Sequence, residues 1–206
     1  MPRSLTKPSN WNLPNGLTTL RIVLVPLFGW VLLMDGGQSS GLRIWAFVVF
    51  LVAILTDRID GDIARRRNLV TDFGKLMDPI ADKALTGMAF VGLSIIGELW
   101  WWVTIAVLGR EWGVTLLRFW VIRYGVMPAS RGGKLKTTLQ AVALCGLILP
   151  LRELHGGWRP IGQGLWWVAV VLMVAAVVTT LVTGVEYVRD AVRLRREGQA
   201  AASASS

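Results

Sequence analysis

Six apolar runs recur along the chain, each close to the roughly 20 helical residues that cross a hydrocarbon layer of about 30 Å. They span Gly16–Met34, Leu42–Arg65, Asp78–Gly97, Leu99–Arg123, Leu135–Pro150 and Ile161–Tyr187, with breaks at Asp35-Gly36-Gly37, Gly97-Glu98 and His155-Gly156-Gly157. Inside a bilayer each segment must satisfy its own backbone polar groups, so runs of this length are expected to be helices. Hydrophobic residues make up 53% of the chain and charged residues only 17%, against about 25% charged in an ordinary soluble domain. The expectation is an all-α integral membrane protein with six transmembrane helices. Residues 1–12 would precede a helical domain over 13–190. Residues 191–206 would form a polar tail, whose last stretch Glu197–Ser206 reads as disordered. The first run is too long for a signal-peptide core and has no A-x-A site after it, so it is expected to be retained. Cys145 is the sole cysteine and His155 the sole histidine, which excludes an internal disulfide and a histidine metal cluster.

Charge sets the orientation. The chain carries 22 Lys and Arg against 13 Asp and Glu, a net +9. Of these cations, Arg43, Arg152 and Arg159 fall on one side of the six runs. The rest lie on the other side or at its helix ends, including Arg3, Lys7, Arg65 to Arg67, Lys75, Arg131, Lys134, Lys136 and the terminal Arg189, Arg193, Arg195 and Arg196. The positive-inside rule makes that richer side cytoplasmic, with both termini there. Trp100 to Trp102, Trp158, Trp166 and Trp167 fall near the opposite interface, where indole rings are enriched. Because the cations follow topology, the basic balance does not point to nucleic acid.

The acids are placed less predictably. Asp57, Asp60 and Asp62 end the second run, while Asp72, Asp78 and Asp82 open the third. Asp57 and Asp60 are i,i+3 and Asp78 and Asp82 are i,i+4, so each pair shares a helix face. At about 100° per residue, Asp57, Asp60, Gly61, Ala64 and Arg65 lie within roughly 140° of one surface. Counting about 20 Å from Ile44 to Thr56 and about 22 Å from Lys83 to Gly97 puts both pairs at one level. That level is about 10 Å below the cytoplasmic edge of the slab. A bare carboxylate there costs about 3 kcal/mol or more, so something must offset four of them. Ion pairs with Lys75, Lys83 and Arg65 are one solution. A divalent cation is the other, since clustered hard oxygen ligands without His or Cys suit Mg²⁺, Mn²⁺ or Ca²⁺. Gly61 and Ala64 on the same face are either helix-packing contacts or room for a bulky ligand.

Written out, Asp57-x2-Asp60-Gly61-x2-Ala64-Arg65-x8-Gly74-x3-Asp78-x3-Asp82 resembles the full signature of the CDP-alcohol phosphatidyltransferases. The resemblance implies that family's fold: six transmembrane helices, usually paired as a homodimer, with a polar cavity open to the cytoplasm. It implies transfer of a phosphatidyl group from CDP-diacylglycerol to an alcohol, with release of CMP. By the same resemblance Asp57, Asp60, Asp78 and Asp82 bind a divalent metal, Mg²⁺ or Mn²⁺ at two ions per site, and Asp82 also acts as general base. Asn15, Thr18, Asp57, Asp60, Gly61, Ala64, Arg65 and Thr71 match positions that hold the CDP-diacylglycerol head. The implied setting is a bacterial plasma membrane, with the active site facing the cytoplasm.

The stretches Asn12–Arg21, Gly109–Arg118 and Met127–Gln140 resemble phosphatidylglycerophosphate synthases within that family, which implies glycerol 3-phosphate as the acceptor. Charge points the same way. Arg110 lies about 15 Å from the outer interface, near midplane, where an arginine should face a polar cavity. Lys134 and Lys136 start the fifth run. Arg110, Lys134 and Lys136 are therefore the candidates for the acceptor phosphate, with Arg21, Arg118 and Arg131 as secondary ones; simple positive-inside anchoring is the competing explanation for each except Arg110. Gly132-Gly133-Lys134 is not a P-loop, because Pro128 and Leu135 break that pattern. Other acceptors within the family, inositol phosphate, serine or a second phosphatidylglycerol, remain as alternatives. A divalent-cation transporter is a remote one, since intramembrane acids also mark ion pathways, but transporter sites usually sit at midplane between repeats.

Overall fold

The computed structural model describes residues 13–66, 71–122 and 132–204. Among them every long element is an α-helix and no strand occurs. The helices are α1 (Leu13–Leu33), α2 (Ser40–Arg66), α3 (Asp72–Ile95), α4 (Trp101–Val121), α5 (Gly132–Ile148) and α6 (Arg159–Ala204). Two short 3-10 turns, Leu151–Glu153 and Gly156–Trp158, separate α5 from α6. These helices coincide with the six apolar runs to within a few residues, apart from two ends: α3 starts earlier, at Asp72, and α6 ends later, at Ala204.

The extension of α6 corrects one expectation. Its 46 residues run through Ala204, so most of the tail expected to be disordered is helical. From Val185 to Glu197 the sequence has no Gly or Pro and is rich in Arg, which costs a helix little. Arg193 Nε donates to Glu197 Oε1 at 2.7 Å one turn on, and the Arg195 guanidinium lies 5.0 Å from the Trp120 ring centre. Pro160 sits in the first turn, where its missing N–H has no intrahelical partner to lose.

Asn15–Leu33, Ser40–Asp57 and Gly156–Glu197 are long and apolar enough to cross a membrane. The other three helices fall short for a stated reason. Helix α3 carries Asp78, Asp82 and Lys83, and α4 carries Arg110, Glu111 and Arg118 in its length. Helix α5 has only 17 residues, with Lys134 and Lys136 in its first turns. Four of these charges, Asp78, Asp82, Arg110 and Arg118, are residues singled out above for chemistry, which is where a membrane protein tolerates them.

The chain forms two compact units. The first contains α1, α2 and α3 with the strip Ile148–Leu154. Its core is a stripe on α1, Val25, Phe28 and Leu32, meeting Phe50 on α2 and Leu85, Phe90 and Leu93 on α3. The Phe28 and Phe50 rings lie 5.2 Å apart at 37°, and buried Ala46, Ala53, Ala81 and Ala89 let the helix backbones approach. At the end remote from the acids, buried Arg43 ties three segments together. Its Nη1 lies 2.7 Å from Glu98 Oε1 and 3.6 Å from Glu153 Oε1, while Nε and Nη2 donate to the carbonyls of Ile148 and Leu149 at 3.1 and 3.3 Å. Ser40 Oγ also bonds Glu153. A cation assigned from sequence to a surface loop is thus a buried clasp.

The second unit contains α4, α5 and α6. Helix α6 contributes a buried stripe of Ala169, Met173, Ala176, Thr180, Thr183, Tyr187 and Ala191 at helical spacing. Helix α4 answers with Val103, Val107, Val114 and Val121. Arg110 falls on that same α4 stripe, midway along it.

Candidate active site

In the first unit the site is built from α1. The buried stripe that is apolar at Val25, Phe28 and Leu32 becomes polar toward the helix start, at Asn15, Thr18 and Arg21. The three are spaced i, i+3, i+6, so one helix face presents an amide, a hydroxyl and a guanidinium in succession. Each meets a different partner. Arg21 is wholly buried, and its Nη1 lies 2.7 Å from Asp57 Oδ1. Thr18 Oγ1 donates to Asp78 Oδ1 at 2.6 Å. Asn15 Oδ1 accepts from Thr71 Oγ1 at 2.9 Å.

Thr71 also fixes where α3 begins. It is the N-cap, with extended backbone at φ −103° and ψ 160°, and its hydroxyl accepts from the Gly74 amide at 3.1 Å. Gly74, a signature position, is tightly enclosed: a Cβ there would lie 3.1 Å from Asn15 Oδ1 and 3.8 Å from Asp78 Oδ2. A side chain at 74 would therefore crowd Asn15 of α1 and stand in contact with Asp78.

Of the ion-pair partners considered for the acids, Arg65 and Lys75 have side chains outside the described residues. Asp57 pairs with Arg21 on α1, a residue named from the sequence only as a secondary acceptor candidate. Asp57 and Asp78 each meet α1 through one oxygen, Oδ1, leaving Oδ2 as the oxygen a cation would take. The Asp57 side chain keeps 42% of its surface exposed, so the Arg21 pair does not seal it off. Asp82 lies one turn beyond Asp78 on α3 and is exposed within this chain. Asp60, Gly61, Ala64 and Arg65 lie on α2 backbone whose side-chain placement is outside the described residues. Among the described residues no three His, Cys, Asp or Glu side chains form a metal-holding group. The donor chemistry nonetheless fits a hard cation, because every candidate ligand is a carboxylate oxygen.

In the second unit, Arg110 reaches from α4 to α6. Its Nε donates to the Thr180 carbonyl at 3.2 Å and its Nη2 to Thr183 Oγ1 at 2.8 Å. Gly184 makes room for it: a Cβ there would stand 3.1 Å from Arg110 Cγ. Arg110 Nη1 lies 3.5 Å from Glu111 Oε1, and the same oxygen accepts from Lys136 Nζ on α5. Gln140, one turn along α5, donates to Thr180 Oγ1 at 3.4 Å. Arg118 Nη2 bonds Tyr187 Oη at 2.8 Å, and both Arg110 and Arg118 stack near that ring, at 5.4 and 5.0 Å from its centre.

Arg110, Lys136 and Arg118 are thus brought into one polar group. Lys134 lies on α5 with its side chain outside the described residues, and Arg131 is outside them altogether. Glu111, Gln140, Thr180, Thr183 and Tyr187 had not been singled out from the sequence. The signal for the last three was present: Thr180, Thr183 and Tyr187 recur at i, i+3, i+7 within an otherwise apolar helix.

Comparison with known proteins agrees with the signature. The family model described as CDP-alcohol phosphatidyltransferase matches residues 11–185. A Mycobacterium tuberculosis (strain H37Rv) protein named "Probable phosphatidylglycerophosphate synthase" is 50% identical over 183 residues, covering 88% of this chain and 82% of the relative. The CDP-diacylglycerol–glycerol-3-phosphate 3-phosphatidyltransferase of Bacillus subtilis (strain 168) is 35% identical, covering 86% of this chain and 93% of the relative. The protein of that name from Escherichia coli (strain K12) is also 35% identical, covering 88% and 95%. With two of the signature acids anchored on α1 and the match running across nearly all six helices, the chain belongs to the CDP-alcohol phosphatidyltransferase family.

Proposed function

We propose that the protein transfers the phosphatidyl group of CDP-diacylglycerol to glycerol 3-phosphate, giving phosphatidylglycerophosphate and CMP. The observation that carries this reading is the complete Asp57–Asp82 signature in a chain whose relatives bear that activity in their names. The polar face of α1 supports it, because it holds two of the four acids in place from a buried, hydrogen-bonded base. The cations gathered around Arg110 favour a phosphorylated acceptor over a neutral alcohol.

In this reading Asp57, Asp60, Asp78 and Asp82 hold Mg²⁺ or Mn²⁺, which would neutralise the diphosphate and the charge developing on the attacking and leaving oxygens. Asn15, Thr18 and Thr71 order the start of α1 and α3 around the CDP head, with Gly61, Ala64 and Arg65 along α2. Asp82 takes the proton of the attacking hydroxyl, which needs a carboxylate within hydrogen-bond reach of that oxygen. Arg110 and Lys136, with Lys134, bind the acceptor phosphate as charge-assisted donors. The fold is read as six transmembrane helices in a bacterial plasma membrane, with both termini and the site on the cytoplasmic side. A homodimer is the proposed assembly.

Purified protein supplied with CDP-diacylglycerol and one acceptor at a time tests the reading. CMP release is expected with glycerol 3-phosphate, to be lost on chelation and restored by Mg²⁺ or Mn²⁺. Release with inositol phosphate or serine but not with glycerol 3-phosphate would overturn the acceptor. Full activity in the presence of a chelator would overturn the metal.

A further inference from the structure

We infer that Glu111 is an exchange carboxylate: it occupies the Arg110–Lys136 cation pair when the site is empty and yields its place to a phosphate monoester. The inference rests on the reading that these cations receive the acceptor phosphate.

The geometry separates what is fixed from what can leave. Arg110 is held from α6 by the Thr180 carbonyl at Nε and the Thr183 hydroxyl at Nη2, and it lies against Gly184. Those bonds do not involve Glu111, so the guanidinium keeps its aim without it. Nη1 is the nitrogen turned to Glu111, and Lys136 Nζ converges on the same carboxylate oxygen. One oxygen of Glu111 therefore stands where two cations meet, which is where an oxygen of a phosphate group would bind. The Glu111 side chain is 26% exposed while that of Lys136 is 6% exposed, so of the two the carboxylate has the open side.

Charge decides the rest. Arg110, Lys136 and Arg118 against Glu111 give the group a net positive charge that attracts an anion. A dianionic phosphate bound to the same two nitrogens would lie directly against the carboxylate, placing like charges together. Exchange removes that repulsion. In the empty state the same carboxylate offsets part of the positive charge of Arg110 and Lys136, which is costly at membrane depth. A singly charged anion gains nothing by replacing Glu111, whereas a dianion does. The arrangement thereby selects phosphate monoesters over chloride or carboxylates.

The test uses the full chain purified in detergent, with inorganic phosphate as the probe. Two quantities are read: its inhibition constant against glycerol 3-phosphate, and the rise in melting temperature it produces, which follows site occupancy. Glu111→Gln, which keeps the shape and removes the charge, should tighten inorganic phosphate and lower the KM for glycerol 3-phosphate by about five- to tenfold. The KM for CDP-diacylglycerol should move much less, and chloride should become a competitor. Glu111→Asp, too short to reach both cations, should tighten phosphate by a smaller factor. Unchanged or weaker phosphate binding in either folded variant overturns the exchange and leaves Glu111 as a residue that only orients its neighbours. Should the wild type not use glycerol 3-phosphate at all, the proposed function fails. The phosphate-dependent melting shift still decides the exchange, because it needs no turnover.

Discussion

Asp57, Asp78 and Asp82 share a residue type and a motif, yet their surroundings differ. Asp57 answers a buried guanidinium, and Asp78 accepts a short bond from Thr18. Both are held through one oxygen by side chains of α1, which suits ligands that must not move. Asp82 is one turn further on and exposed, which suits a group that must reach a substrate hydroxyl and accept its proton. Replacing it by Asn keeps the size and most of the polarity but removes the basic oxygen. Asp82→Asn should therefore lower the rate of CMP release by about 10²- to 10⁴-fold, the usual contribution of a positioned base. Binding of CDP-diacylglycerol, measured directly on the purified variant, should persist. A near-normal rate would remove Asp82 from that role. Arg21 makes the opposite case: it is wholly buried, so it serves by holding Asp57 rather than by meeting an acceptor in solution.

At the scale of elements, the two kinds of helix face explain how much could be read in advance. The apolar runs gave all six helices, because hydrophobic length and breaks such as Asp35-Gly36-Gly37 are local properties of sequence. The i,i+3 and i,i+4 acids also gave their shared faces directly. What local pattern could not give was the partner across the interface. Arg21 looked like one more cation near an end, and only the packing of α1 on α2 reveals its bond to Asp57. Arg43 is the same lesson at the other end of α2, about 20 Å away along the helix. It unites the start of α2, Glu98 beyond α3, and the strip after α5, segments far apart in sequence. Arg43→Ala would remove the guanidinium from Glu98, Glu153 and the carbonyls of Ile148 and Leu149. Removing one partner of a buried pair costs about 3–5 kcal/mol, less here because Glu153 is partly exposed, so the melting temperature of the detergent-solubilised protein should fall by about 5–10 °C. Arg43→Lys, retaining the charge but not the fork, should recover part of that loss. A melting temperature unchanged in Arg43→Ala would show that the clasp adds nothing to the first unit.

For the molecule as a whole, the unequal distribution of charge and the length of α6 make one statement about orientation. Helix α6 is about 69 Å long by its 46 residues, more than twice a hydrocarbon core of about 30 Å. It must project well beyond one surface. The projecting part carries Arg189, Arg193, Arg195 and Arg196, which the positive-inside rule would place in the cytoplasm under the proposed six-helix topology. Five crossings, α2 to α6, would then separate it from the α1–α2 turn and put the exposed Gln38 outside. The sole cysteine, Cys145, allows a clean test, since Cys145→Ser leaves no other thiol. In that background a single cysteine replaces Gln38 or Arg193, and intact cells are treated with a membrane-impermeant maleimide. Gln38→Cys should label without disruption of the cells, whereas Arg193→Cys should label only once they are permeabilised. The reverse pattern would invert the topology and place the acid signature on the wrong side for a cytoplasmic nucleotide substrate. Labelling of both from outside would leave an even number of crossings between them in place of the five of α2 to α6, a fold in which those helices do not all span.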